Sequence, residues 1–182
     1  RILGNLQNID TDLAQRVADG LAMGLPAKAE AAVKPVDMDA SPALRIVGKY
    51  PETLNGRAVG ILVTDGADGA VINAVKKAAL AEGASVKIIA PKVGGVTLKD
   101  GKMLPADGQL AGTPSVLFDA VALVLSEAGC AELLKESAAT DFVSNAFVHL
   151  KAIGFTSEAQ PLLDKANVEP DAGIVDLAAG AA

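Results

Sequence analysis

The sequence predicts an α/β protein whose mainly parallel, doubly wound sheet carries helices on both faces. Three observations predict this. Short apolar runs rich in Val, Ile and Leu recur from Ala58 onward, each the length of a buried strand. Segments with helical spacing separate them, and Gly or Pro closes most segments. Strands that alternate with helices imply parallel pairing, because right-handed crossovers return each strand in the same direction.

In chain order, "NIDTDLAQRVADGLAMGLP" reads as a helix capped by Asp10 or Thr11. Its apolar stripe is Leu13, Val17 and Leu21, and Gly24 and Pro26 are its stop. The stretch to Asn55 holds four prolines, counting Pro26, with little periodicity, and reads as an extended linker. Residues 1–56 therefore form a helix and linker, and 57–182 the α/β domain. Ala58 to Thr64 is the first strand. From Gly69 to Glu82 the spacing of Val71, Ile72, Val75, Ala79 and Leu80 predicts a helix, ended by Gly83. Ser85 to Ala90 is a strand closed by Pro91. Lys99-Asp100-Gly101 turns a hairpin between Val96–Leu98 and Lys102–Leu104. Asp119 to Leu125 is a strand, Ala131 to Ser137 and Asp141 to Lys151 are helices, and Ala152 to Phe155 is a strand. A helix over Glu158–Lys165 and a short strand over Gly173–Val175 complete the domain.

Composition narrows the function. The 182 residues suffice for one well-buried core, and no apolar run approaches the roughly 20 residues needed to span a bilayer. A net charge of −6 with no basic stripe argues against nucleic acid. One cysteine and one histidine argue against a disulfide or a zinc cluster. The chain begins at Arg1, as a fragment of a longer polypeptide would, and its compartment, cytoplasmic or exported, stays open.

The loop Asp65-Gly66-Ala67-Asp68-Gly69 invites a nucleotide reading and then fails it. A dinucleotide fingerprint needs G-x-G-x-x-G and an acidic residue ending the second strand, but that strand ends Ile88-Ile89-Ala90-Pro91. Asp65 and Asp68 would repel a pyrophosphate at the helix N-terminus. The loop instead reads as a tight turn in which Asp68 caps the helix.

Residues 57–176 resemble the PfpI-like branch of the class I glutamine amidotransferase-like fold, a three-layer, flavodoxin-like architecture. More narrowly, "LKDGKMLPADGQLAGTPSVLFDAVALVLS" and "AFVHLKAIGFTSEAQPLLDKA" resemble the C-terminal domain of large-subunit haem catalases. "GNLQNIDTDLAQRVADGL" resembles the segment that precedes it, and the resemblance suggests a fungal member. It implies a parent that converts hydrogen peroxide to water and oxygen under oxidative stress. It also implies packing against the haem-bearing domain of a homotetramer and support for folding and stability, while an alanine- and valine-rich surface suggests chaperone-like contact with unfolded client proteins.

Enzymes of that superfamily carry a cysteine on a strained strand-to-helix elbow, commonly followed by histidine, with a carboxylate from the loop after the first strand. Here the matching bend is Thr156-Ser157-Glu158, with Ala159 where glycine would stand and Gly66 near the carboxylate position. A serine without a base is a poor nucleophile, so no catalytic set is expected. Cys130, expected just ahead of the helix from Ala131, reads first as a packing thiol and second as a redox-sensitive one. A hydrolase or glyoxalase-type enzyme using Ser157 or Cys130, or a small-ligand module at the strand ends, is the alternative. His149, in "NAFVHLKAI", reads as a helix-surface residue, and Asp119 as a hydrogen-bond acceptor at a strand start. Haem catalases ligate iron through a proximal tyrosine within Arg-x-Phe-x-Tyr. The lone tyrosine, Tyr50 in "RIVGKYPET", lacks that pattern, so no cofactor or metal is expected in this chain, and haem belongs to the parent.

Overall fold

The computed structural model describes residues 1–39, 41–46, 48, 49 and 53–177. Tyr50 lies outside the described residues. The chain divides into two compact units, Arg1–Pro51 and Glu52–Ala182.

The first unit holds two helices, α1 (Ile2–Leu6) and α2 (Thr11–Gly20). Asp10 caps α2 by accepting from the Leu13 amide at 2.9 Å, which supplies one of the first-turn partners a helix lacks. α2 ends at Gly20, ahead of the expected stop. The buried side chains are Ala14 and Ala18, whereas Leu13 and Leu21 are 43% and 59% exposed. The expected Leu13/Val17/Leu21 stripe is therefore not the buried face. α1 packs on α2, and the small pair Ala14/Ala18 permits the close approach. The following segment is extended and is tied back by Gln7 Nε2 to Pro26 O (2.8 Å) and Ala29 N to Gly4 O (2.9 Å).

The second unit is built on a six-stranded sheet in the order β5-β2-β1-β6-β7-β8. The strands are β1 (Ala58–Val63), β2 (Ser85–Ala90), β5 (Gly108–Gln109), β6 (Ala120–Val124), β7 (Ala152–Phe155) and β8 (Ile174–Asp176). All five neighbouring pairs are parallel. The order reverses at β1: the chain runs one way to β2 and β5, then the other way through β6, β7 and β8. That is the doubly wound topology expected. β3 (Val96–Thr97) and β4 (Met103–Leu104) form the separate antiparallel hairpin.

Helix α3 (Gly69–Ala81) covers one face, over Ile61, Val63, Ile88 and Val124. Helices α4 (Glu127–Leu133), α5 (Ser137–Val148) and α6 (Gln160–Lys165) cover the other, over Leu62, Leu123 and Ile153. Each such side chain taken fully out of water contributes about 1.5–3 kcal/mol, and this double-sided burial is why β1 reads as an unbroken apolar run. Gly60 interrupts it because a Cβ there would meet the Phe118 ring at 2.7 Å.

Candidate functional site at the carboxyl ends of the strands

In an open parallel sheet, the crevice lies beyond the carboxyl ends of the strands where the order reverses. Here β1, β2 and β6 deliver Thr64 and Asp65, Pro91 and Lys92, and Ser126 to that point. Thr64, Asp65, Pro91 and Lys92, together with Gly129, Glu132 and Glu136 of the α4 region, line a cleft of about 420 Å³, and Ser126 caps α4 beside it.

Thr64, Asp65 and Lys92 of the cleft and the neighbouring Ser126 are knotted to one another. Thr64, 2% exposed, accepts the Ser126 amide on Oγ1 at 3.0 Å. Ser126 Oγ donates to Asp65 O at 2.6 Å and accepts from the Gly129 amide at 3.0 Å, which makes Ser126 the N-cap of α4. Asp65 accepts from the Thr97 amide (2.8 Å) and from Lys92 Nζ (3.0 Å). The Thr97 N–H first, and the Lys92 ammonium second, hold its carboxyl below the usual range. Gly66 takes φ +81° while its amide reaches Thr97 O at 2.7 Å, and Asp68 accepts from Ala70 N at 2.8 Å. The opening loop is thus a turn followed by a helix cap.

The bend Thr156-Ser157-Glu158 follows β7. Thr156 sits in extended backbone (φ −90°, ψ 154°), its amide on Leu123 O at 2.9 Å, and Ser157–Ala159 form a 3-10 turn leading into α6. Among the described residues the non-glycine positive-φ positions are Ala22, Leu150 and Asn167, so Ser157 does not stand on a strained elbow. Its side chain and that of Glu158 are exposed.

Cys130 lies inside α4, not ahead of it. Ser126 starts the helix four residues before the cysteine, and Gly129, which reads as a breaker in sequence, is a close-packing position instead. The thiol is 2% exposed, and burial pushes it up against an opposing hydrogen bond from the Leu162 backbone. Native-state alkylation by iodoacetamide is expected to run on the order of 10²-fold or more slower than in urea. Comparable rates in both states would show an open, activated thiol.

His149 is the exposed C-cap residue of α5, its Nδ1 2.7 Å from Asn145 O. Asp119 accepts from the Ala58 amide (2.8 Å) and Arg57 Nη1 (3.1 Å), as its strand-start position suggests. Those two donors, the amide first, hold its carboxyl low. Among the described residues no three His, Cys, Asp or Glu side chains gather as a metal-holding group, and no helix is long and apolar enough to cross a membrane. Sequence reasoning passed over Ser126 as a cap and Lys92 as the partner of Asp65. The Ser-x-x-Gly spacing was the available signal for the first. The second joins residues 27 apart and has no local signal.

Comparison with known proteins identifies the lineage. The family of C-terminal domains found in long catalases matches residues 55–180. The chain belongs to this family. Catalase C of Rhizobium meliloti is 44% identical over 97% of this chain and 26% of its own length. Catalase HPII of Pseudomonas aeruginosa is 32% identical over 93% of this chain and 24% of its own length. The chain thus spans about a quarter of the length of these relatives. Catalase A of Aspergillus fumigatus is 31% identical over 90% of this chain, but most of the relatives matched are bacterial, so the suggested fungal source gains no support. A ThiJ/PfpI domain protein from Brachyspira murdochii superposes with a TM-score of 0.56 at 17% identity, covering 63% of this chain and 66% of its own. That likeness shows the flavodoxin-like fold of this catalase C-terminal domain.

The depressed carboxyls of Asp65 and Asp119, with that of Asp100 beside Lys102, contribute to how the domain answers acid. Each has a folded pKa below its unfolded one, so the unfolded chain binds more protons as pH falls. Their stabilisation is complete above the unfolded value, about pH 4, and drains away below it. Urea midpoints are expected to fall between about pH 4 and 2, and the paired variant D65N/D119N to show a shallower decline. Identical slopes would remove these carboxylates from the acid response.

Proposed function

We propose that the chain is the non-catalytic C-terminal domain of a haem catalase, and that it supports folding and stability of the parent homotetramer with chaperone-like contacts to unfolded chains. The parent body, not this domain, holds haem and converts hydrogen peroxide to water and oxygen. The observation that carries the reading is the unstrained backbone at the Thr156–Ser157 bend within a chain of this family. Nucleophile elbows hold their residue in a strained conformation that exposes it to substrate, and Ser157 lacks that geometry. The carboxyl-end crevice supports it too: the Ser126 hydroxyl is committed to a carbonyl and a helix amide, and Lys92 to Asp65.

Partner contact with the haem-bearing domain is supported by the first unit. It buries little beyond Leu3, Ala14 and Ala18, while Ile2, Ile9, Val33, Met38 and Leu44 are each 79–82% exposed. Apolar side chains exposed on α1, on the turn after it and along the segment that follows α2 suit packing on a larger body.

Deleting residues 53–182 from the parent tests the proposal. Haem content and turnover per haem are expected to persist, while the inactivation temperature and refolding yield fall. A haem-loaded, tetrameric truncate that has lost turnover would place chemistry in this domain. Unchanged inactivation temperature and yield would remove the supporting role. Light scattering of a heat-labile client, with and without the 182-residue chain at equal molarity, tests the chaperone-like part. Equal scattering would dismiss it.

A further inference from the structure

Helix α5 closes with a hydrogen-bond pair from Leu150 N to Phe147 O (2.9 Å) and Lys151 N to Ala146 O (3.0 Å), which places Leu150 in the left-handed region at φ 55°. Glycine or asparagine suits that position, because a bulky side chain is strained there. Leu150 is also 87% exposed, so its side chain gains no burial in compensation. Strain and an exposed apolar side chain at one residue call for a contact outside the domain.

The neighbours extend the patch. Lys151 Nζ donates to Ser115 O (2.9 Å) and Phe118 O (2.6 Å), clamping the 3-10 turn Ser115–Leu117 beside the end of α5. Val116 and Leu117 on that turn are 62% and 59% exposed, and Val148 on α5 is 68% exposed. The clamp engages the lysine ammonium with two backbone carbonyls and leaves these apolar side chains exposed beside it, with His149 between Val148 and Leu150.

Its place in the fold indicates the occupant. Leu150 leads into β7 and Leu117 into β6, so the patch lies at the amino end of the sheet. β1 also begins there, with Ala58 and Arg57 pinned to Asp119 beside it. The polypeptide enters the sheet at this end, through Ala58 of β1. In the relatives matched, about three quarters of the length lies outside the matched part, and the family is a C-terminal one.

Magnitude separates a tethered partner from a free one. Four side chains at these exposures offer about 500 Å², the size of the largest apolar patch on an ordinary monomer, which is often functional. That is short of the roughly 800 Å² per side used by stable free association. A partner on the same chain needs less, because tethering supplies a millimolar effective concentration.

We propose that Val116, Leu117, Val148 and Leu150 form the surface by which this domain docks on the haem-bearing body of its long-catalase parent, with Leu150 as the inserted side chain. This rests on the reading of the chain as a catalase C-terminal domain.

Hydrogen exchange in the full-length parent and in the 182-residue chain tests it. Amides of 115–118 and 147–151 are expected to exchange about tenfold or more slowly in the parent, and L117S/L150N to abolish that difference with turnover per haem unchanged. Val93, 79% exposed beyond the opposite end of β2, serves as control, and V93S should leave the protection intact. In the 182-residue chain L150G relieves the strain and raises Tm by about 2–4 °C. A fall in its Tm would show that Leu150 serves the domain's own packing and overturn the proposal. So would equal exchange in both proteins, or dimerisation of the 182-residue chain that L150N abolishes. None of these touches the wider reading, which stands or falls on the truncation of the parent described above.

Discussion

Replacing Gly129 with alanine is expected to destabilise the domain by about 1–3 kcal/mol, against the direction that helix propensity predicts. Gly129 lies in α4, where alanine for glycine is worth about 1 kcal/mol in favour of the helix. Packing opposes it. A Cβ at Gly129 would sit 2.1 Å from Thr64 Oγ1 and 2.3 Å from Thr64 Cβ. Thr64 is 2% exposed and cannot swing away, so α4 must lift off the end of β1. Overpacking of that kind costs about 1–3 kcal/mol. The shift also strains the Ser126 cap, whose hydroxyl accepts the Gly129 amide and whose own amide rests on Thr64, worth about 1 kcal/mol more. Urea unfolding followed by circular dichroism measures the balance, and a midpoint that rises would show the contact to be slack.

The same position shows where sequence reasoning ran out. Runs such as Ala58–Val63 and Ala120–Val124 are legible because both faces of a parallel strand are buried, and Gly69–Ala81 because its periodicity and the Asp68 cap agree. α4 was misplaced by four residues, since Gly129 breaks a helix locally and is required only by a strand 62 residues away in the Ser126–Thr64 pairing. α5 was read from Asp141 but starts at Ser137, because Glu136 offers no side-chain cap to announce it. β5 went unseen: two residues carry no period, and the strand exists through Asp107, which exchanges bonds with Ile88 at 2.7 and 2.8 Å. At the crevice, residue types were legible and geometry was not. That Thr156-Ser157-Glu158 lacks cysteine is written in the chain, whereas the ordinary backbone of the bend is a fact of three dimensions. The Leu150 strain had no signal either, since a leucine after a helix looks unremarkable until its φ is seen.

The second large effect is expected at Phe142, where alanine should cost about 3–5 kcal/mol. Its ring is 1% exposed on α5 and meets Phe118 at 6.5 Å between centroids, tilted by 53°. Phe118 in turn lies over Gly60 of β1, so the two rings join α5 to the centre of the sheet. Small residues surround them: Ala139 and Ala146, both fully buried, flank Phe142 along the helix and have no reach to fill the space it leaves. The cavity therefore stays open, which puts the cost at the upper part of the range for aromatic truncation. Against a total of about 5–15 kcal/mol for a domain this size, the variant would approach the edge of folding. The matching change F142L, which keeps most of the volume, should lose less than half as much. Urea midpoints for the two variants check the argument: equal losses would mean that the ring pair, not the filled volume, holds α5 to the sheet.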